Sequence, residues 1–282
     1  MSKKIQVGII GFGNMGKAIA CRLNPAKYQV YIFDNDKSKV QPNNQLKAAN
    51  SISDLVSNSE VVIIAVKPQD FGAVLTELRN SRNVNQKTLI SIAAGVSTSA
   101  IEQALNPLEV KVVRAMPNLF AKDGRGISAI AKGLLATDRE LSIARELFES
   151  LGEARVVVED QIDAVTAVSG TGPGCLAYFI EGIDDLSKQK AQIEGKRSEY
   201  IKAAVNSGLT DAADYANNTL NAFIKHLEEH RDESPEEFRK KVTSKGGTTE
   251  AAVEVLESGG SLLEAIKAAK DKAKELTKHI NF

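Results

Sequence analysis

The sequence predicts an α/β protein, a doubly wound, mostly parallel sheet followed by an all-helical region. Three observations predict it. A glycine-rich turn, Gly11-Phe12-Gly13-Asn14-Met15-Gly16, stands near the start of the chain between an apolar run and a helical stretch. Short apolar runs then alternate with helical patterns as far as Val158, the signature of parallel strands with crossover helices. Beyond Asp160 no clear strand pattern recurs. The boundary is therefore placed there, giving domains of residues 1–159 and 160–282.

The first strand, ending at Ile10, leads through the glycine turn into a helix over Lys17–Leu23. Gly11 suits the tight turn, Gly13 lets a pyrophosphate approach the backbone, and Gly16 lets the helix pack against the strand. Free N–H groups at the helix start attract the anion. Residues 1–159 therefore read as a dinucleotide-binding domain. A second strand, Gln29–Phe33, ends at Asp34, eighteen residues past Gly16. A carboxylate there accepts from ribose hydroxyls and favours NAD, whereas Lys37 and Lys39 close by keep NADP open. Asp34 also reads as an ordinary strand-closing turn residue.

Val61–Val66 is a strand buried on both faces, broken by Lys67-Pro68, with a helix over Phe71–Leu78. Thr88–Ile92 and Lys111–Met116 follow, closed by Ala93-Ala94-Gly95 and by Pro117-Asn118. Gly126–Lys132 and Ala154–Val158 are the last strands, around a helix opened by the capping box at Thr137–Glu140 and stopped by Gly152.

In the second half, Gln161–Val168 reads as helix and Ser169–Gly174 as a small-residue turn. Lys188–Tyr200 reads as a solvated helix face, and Leu209–His230 as a long helix. Ser234-Pro235-Glu236-Glu237 starts a helix that ends at Val242. Gly246-Gly247 then opens another helix, a site for a small anion such as a carboxylate or simply a joint between helices. Gly259-Gly260-Ser261 separates that helix from a last one, running from Leu262 toward Thr277.

Lys plus Arg equals Asp plus Glu at 36 each, so charge gives no reason to expect nucleic acid or an anionic membrane as partner. Cys21 and Cys175 lie far apart, with neither metal spacing nor a disulfide framework, so a reducing, cytoplasmic setting and no metal centre are expected. No apolar stretch reaches the roughly 18–20 residues of a membrane span, and the N-terminal apolar run belongs to the first strand. His226, His230 and His279 are expected at surface positions. No histidine is thus placed as base for an alcohol dehydrogenase. Reduction of a polarised C=N bond needs less: an aligned hydride donor, a bound substrate and one proton source.

The chain resembles the pyrroline-5-carboxylate reductase family over nearly its whole length. The resemblance rests on Gly11–Gly16, Ala65-Val66-Lys67-Pro68-Gln69, Ser91–Val96, Val113–Asn118, Val168–Pro173, and Thr243-Ser244 with Gly246–Thr249. It implies a Rossmann-type domain, an all-α dimerisation domain, a homodimer or larger ring, and NAD(P)H as hydride donor to a cyclic imine carboxylate. Gly11, Phe12, Gly13, Asn14, Met15, Gly16, Asp34, Val66, Lys67, Ile92, Ala93 and Ala94 would form the cofactor site, with Met116, Pro117 and Asn118 bordering the nicotinamide. Gly246, Gly247 and Thr248 would bind the substrate carboxylate. Thr249 would face the ring nitrogen as the proton donor or relay.

The sequence departs from the family pattern at Asp34, Ile52, Leu119-Phe120, Gly174-Cys175, Lys241 and Lys245. Asp185–Gly208 is longer by roughly four or five helical turns. The alternative readings are a reductase of a related cyclic imine, a β-hydroxyacid dehydrogenase, and a catalytically silent nucleotide-binding protein. The dehydrogenases carry a catalytic lysine soon after a glycine-rich turn; here the next lysine after Gly174 is Lys188.

Overall fold

The computed structural model describes residues 3–279. Its first half is an eight-stranded sheet: β1 Ile5–Ile10, β2 Tyr28–Phe33, β3 Leu46–Ala48, β4 Val61–Ile64, β5 Thr88–Ser91, β6 Lys111–Met116, β7 Gly126–Lys132 and β8 Gly152–Val156. Five helices cover it: α1 Asn14–Arg22, α2 Ile52–Ser57, α3 Phe71–Arg79, α4 Thr98–Leu105 and α5 Asp138–Glu149. The strand order is β3-β2-β1-β4-β5-β6-β7-β8. The first six strands in chain order are mutually parallel, β7 runs antiparallel to β6, and β8 is parallel to β7.

Pleating decides what each face buries. Val7 and Ile9 point into one apolar layer with Ile19 of α1 and Phe148 of α5. Ile10, Val62 and Ile64 point into the other, with Leu55 of α2, Leu75 of α3 and Ile101 of α4. Order reverses at β1, where β2 and β4 flank it, so a crevice opens at the carboxyl ends of β1 and β4. The expected strands and the α5 capping box are present. The short β3, α2 and α4 had no clear signal in the sequence.

The second half comprises α6 Ile162–Val165, α7 Gly172–Tyr178, α8 Leu186–Asn206, α9 Ala212–Glu229, α10 Pro235–Val242, α11 Thr248–Glu257 and α12 Leu262–His279. Its core is continuous with the β7 residues Ile127, Ala129 and Ala131.

Two expectations are corrected. Ser169–Gly174 is not a turn: Thr166–Thr171 is a π-helical segment joining α6 to α7 in one helical run. Pro173 lies inside this run, so its missing N–H takes an α-helical donor from the Ser169 carbonyl, to which Asn118 Nδ2 donates instead at 3.4 Å. Lys188–Tyr200 is not uniformly solvated, because α8 is two-faced. Its charges pair outward, as Arg197 does with Glu194 and Asn217, while Ile193 and Tyr200 are fully buried. The Tyr200 hydroxyl donates to the Val168 carbonyl and lies where a Gly172 Cβ would stand, so α8 clamps the π-helical segment.

Candidate active site

The carboxyl ends of β1, β4, β5 and β6 place four loops along one edge of the sheet. Gly11 turns with φ +93°, and a Cβ there would stand 2.7 Å from the Ala65 carbonyl oxygen. A Cβ on Gly16 would collide with the Gly11 carbonyl, so only glycine lets α1 sit this close. Above Gly13, by contrast, a Cβ would meet nothing within 4 Å. The α1 N-terminus has no acidic residue in its first turn and no side-chain cap, which leaves its N–H groups open. These features fit a dinucleotide pyrophosphate: tight packing below the loop, open backbone above it.

A cleft of about 430 Å³ adjoins this loop, lined among others by Gly11, Gly13, Asp34, Val66 and Lys67. Asp34 is tied in place: Oδ2 accepts from Phe12 N–H at 2.7 Å and Oδ1 from Asp36 N–H at 2.9 Å. Lys39 Nζ stands 3.6 Å from Oδ1, and Lys37 lies over the Phe33 ring. The carboxylate thus fixes the glycine loop as well as facing the cleft. The Phe12 side chain is in the core, so only its backbone is available to a ligand. Asn14 and Met15 open α1, Ile92, Ala93 and Ala94 follow β5, and Met116, Pro117 and Asn118 end β6 toward the helical half.

The π-helical segment joins that last group to the proposed anion site. Asn118 Nδ2 donates to Ser169 Oγ at 2.9 Å, and Ser169 Oγ lies 3.1 Å from Thr219 Oγ1. Two residues on, Thr171 donates to the Thr248 hydroxyl at 2.8 Å. The segment thus presents Ser169 to the sheet and Thr171 to α11; π-helical segments recur at functional sites. Gly174 seats the buried Thr249, whose Cγ2 would lie 2.5 Å from a Cβ there.

Not all the expected anion donors are open. Gly246 N–H donates to Glu250 Oε2 at 2.6 Å, and Gly247 N–H to the Ser244 carbonyl at 2.9 Å. The first α-helical bond of α11 is from Ala251 N–H to the Gly247 carbonyl, and no side chain caps the helix. Thr248 and Thr249 N–H remain at its positive end, with Glu250 as an internal carboxylate beside them.

His226 departs from the expected surface position. It is 1% exposed, packed against Phe238 and Phe120, with Nε2 2.7 Å from Glu233 Oε2. Burial pushes its pKa down, against the pull of Glu233. His230 is half-buried beside it, and the side chain of His279 lies outside the described residues. Sequence reading also missed Arg114, buried in β6 and placed 3.4 Å from Glu159 and 3.7 Å from Asp163. An arginine within an apolar strand, with acids ahead of the helical half, was the available signal.

A two-half protein with a glycine-loop dinucleotide crevice in its sheet and a helical second half has the architecture of an NAD(P)-dependent oxidoreductase. Residues 6–95 match the family described as NADP oxidoreductase coenzyme F420-dependent, and residues 197–276 that described as pyrroline-5-carboxylate reductase dimerisation. A pyrroline-5-carboxylate reductase from Synechocystis is 35% identical, over 97% of this chain and 99% of its own. A solved pyrroline-5-carboxylate reductase from Coxiella burnetii is 28% identical with a TM-score of 0.61, covering 98% and 99% of the two chains. The Plasmodium falciparum pyrroline carboxylate reductase, solved with NADP bound, shares the fold at 23% identity and TM-score 0.60, covering 98% of this chain and all of that one. The chain belongs to the pyrroline-5-carboxylate reductase family.

Proposed function

We propose that this chain reduces 1-pyrroline-5-carboxylate to L-proline with NAD(P)H. The observation that carries the reading is the junction itself, where the Asn118–Ser169 and Thr171–Thr248 hydrogen bonds link the loop after β6 to the open N-terminus of α11. Reducing a C=N bond requires a hydride at carbon and a proton at nitrogen. The bound dinucleotide supplies the hydride. Gly13 and the α1 N–H groups hold the pyrophosphate, and Asp34 faces the ribose. Thr248 and Thr249 N–H hold the substrate carboxylate, with the Gly246-Gly247 backbone framing it, and the Thr249 hydroxyl gives or relays the proton. The α7 segment carries no lysine of the kind a β-hydroxyacid dehydrogenase needs.

The helical half, residues 160–282 in this reading, self-associates into a homodimer, supported by the dimerisation family matched by residues 197–276. No helix among the described residues is long and apolar enough to cross a membrane, and a cytoplasmic enzyme is proposed. Steady-state rates with NADH and NADPH, on pyrroline-5-carboxylate and its six-membered homologue, test the activity. Faster turnover of the five-membered imine supports the assignment, and no oxidation of either cofactor with either imine refutes it. Light scattering during size exclusion tests the dimer, which a monomer at assay concentration would refute.

A further inference from the structure

Two buried acceptors face each other where the halves of the molecule meet. Asp123 closes the 3-10 turn Leu119–Asp123, just after Asn118, while His226 stands in the last turn of α9 and His230 is the residue that caps its C-terminus. His226 Nδ1 lies 3.7 Å from Asp123 Oδ2, and both atoms are buried without a hydrogen-bond partner. The other imidazole nitrogen is committed, since Nε2 meets Glu233 Oε2 at 2.7 Å and Lys241 holds the second oxygen of that carboxylate. An ionised carboxylate only accepts, so this pairing assigns the imidazole proton to Nε2. Nδ1 then directs a lone pair at an oxygen that also carries only lone pairs. Such a contact is unfavourable unless a proton or a metal cation stands within it.

The neighbouring arginine is not that cation. Arg125 Nη2 is 3.8 Å from Asp123 Oδ2, beyond hydrogen-bond range, and the guanidinium is engaged by Glu229. One ligand atom from each of Asp123, His226 and His230 lies within 4.8 Å of the others. Bonds of about 2.0–2.2 Å to one tetrahedral ion put its ligand atoms about 3.3–3.6 Å apart, so a small inward movement of the three suffices. Glu233 behind His226 supplies the carboxylate–histidine arrangement that fixes the tautomer and orientation of a metal-binding imidazole.

The geometry points to a divalent transition-metal site of the zinc class at Asp123, His226 and His230, with a fourth position open. Two imidazoles and one carboxylate suit zinc and its neighbours and disfavour magnesium or calcium, which take oxygen ligands. The site ties the loop after β6 to α9. Phe120 of the same loop packs against the His226, Phe223 and Phe238 rings. None of the three ligands belongs to the proposed imine or dinucleotide site, so the ion acts as a staple between the halves.

The test uses the full chain without a histidine tag, treated with chelator and then titrated with Zn²⁺ by calorimetry and with Co²⁺ by visible absorption. One ion per chain, a ligand-field spectrum of low-coordinate Co²⁺ and a Zn²⁺-dependent rise in Tm are expected. His230→Gln and Glu233→Gln, checked for folding by circular dichroism, should each weaken Zn²⁺ binding about 10–100-fold. Absence of saturable binding, or equal affinity in the wild-type chain and both variants, would overturn the site. Saturable binding without a change in Tm would overturn its role as a staple.

Discussion

Replacing Asp34 by asparagine separates the two tasks of this side chain. The carboxylate anchors the glycine loop through Phe12 N–H and faces the cleft where the adenosine ribose is proposed to lie. Asparagine keeps an acceptor for Phe12 N–H and removes only the charge. A 2′-phosphate about 5 Å from the carboxylate would feel about 3 kcal/mol of repulsion per unit charge at an effective permittivity of ~20. Lys39, 3.6 Å from the carboxylate, and the open cleft reduce this. A net change of about 1.4–2.8 kcal/mol then remains, a tenfold to hundredfold rise in the NADPH/NADH ratio of kcat/KM. Asp34→Ala additionally strands Phe12 N–H and should lower kcat/KM with both cofactors, by about 1–3 kcal/mol of binding. Steady-state kinetics with each cofactor at low and high salt measure both effects, and salt should blunt only the charge effect. If Asp34→Asn leaves the cofactor ratio unmoved, the carboxylate is a loop anchor and does not read the ribose.

Three further outcomes are expected. Thr249→Ala should lower kcat by about one to three orders of magnitude with Thr249→Ser retaining most activity, whereas an undiminished rate in the alanine variant removes Thr249 as proton source. Glu250→Ala frees the Gly246 N–H and removes a carboxylate from the anion site. KM for the imine should therefore fall severalfold, for about 1 kcal/mol of relieved competition, with kcat little changed, and an equal or higher KM contradicts that competition. The last concerns Glu140, where burial alone would raise the carboxyl but the hydrogen bonds from Thr137 and Lys111 outweigh it, holding the group at about 2. Because the folded pKa is depressed, its stabilisation is complete above the unfolded value of about 4.3 and disappears as pH falls through about 2. The Tm gap between wild type and Glu140→Gln should narrow over that window, and a pH-independent gap would refute the assignment.

What the sequence disclosed, it disclosed through local rules. The spacing of Gly11, Gly13 and Gly16, the capping box at Thr137 and the helix start at Ser234-Pro235 each depend on residues within one turn of one another. Each was legible for that reason. Ser169–Gly174 misled because small residues and a proline describe a turn equally well. What requires the glycine at 172 is Tyr200, twenty-eight residues on, whose ring fills the space any side chain there would need. His226 misled through its neighbours Lys225, Glu228 and Glu229. The signal that places it was period rather than composition, since Ala216, Thr219, Phe223 and His226 fall on one buried face of α9.

The proposed imine site shows why local legibility ends where the chemistry starts. Its two sides, Met116–Asn118 and Thr248–Thr249, are separated by most of the helical half, and no rule of spacing relates them. They meet because Ser169 and Thr171, two residues apart, leave opposite sides of the π-helical segment. The segment is in turn held by α8. The Tyr200 hydroxyl adds a donor to the Val168 carbonyl within it, which also accepts from Gly172 N–H. Through that contact α8 bears on the proposed imine site by way of the backbone that carries Ser169 and Thr171, without any α8 residue having to reach the substrate.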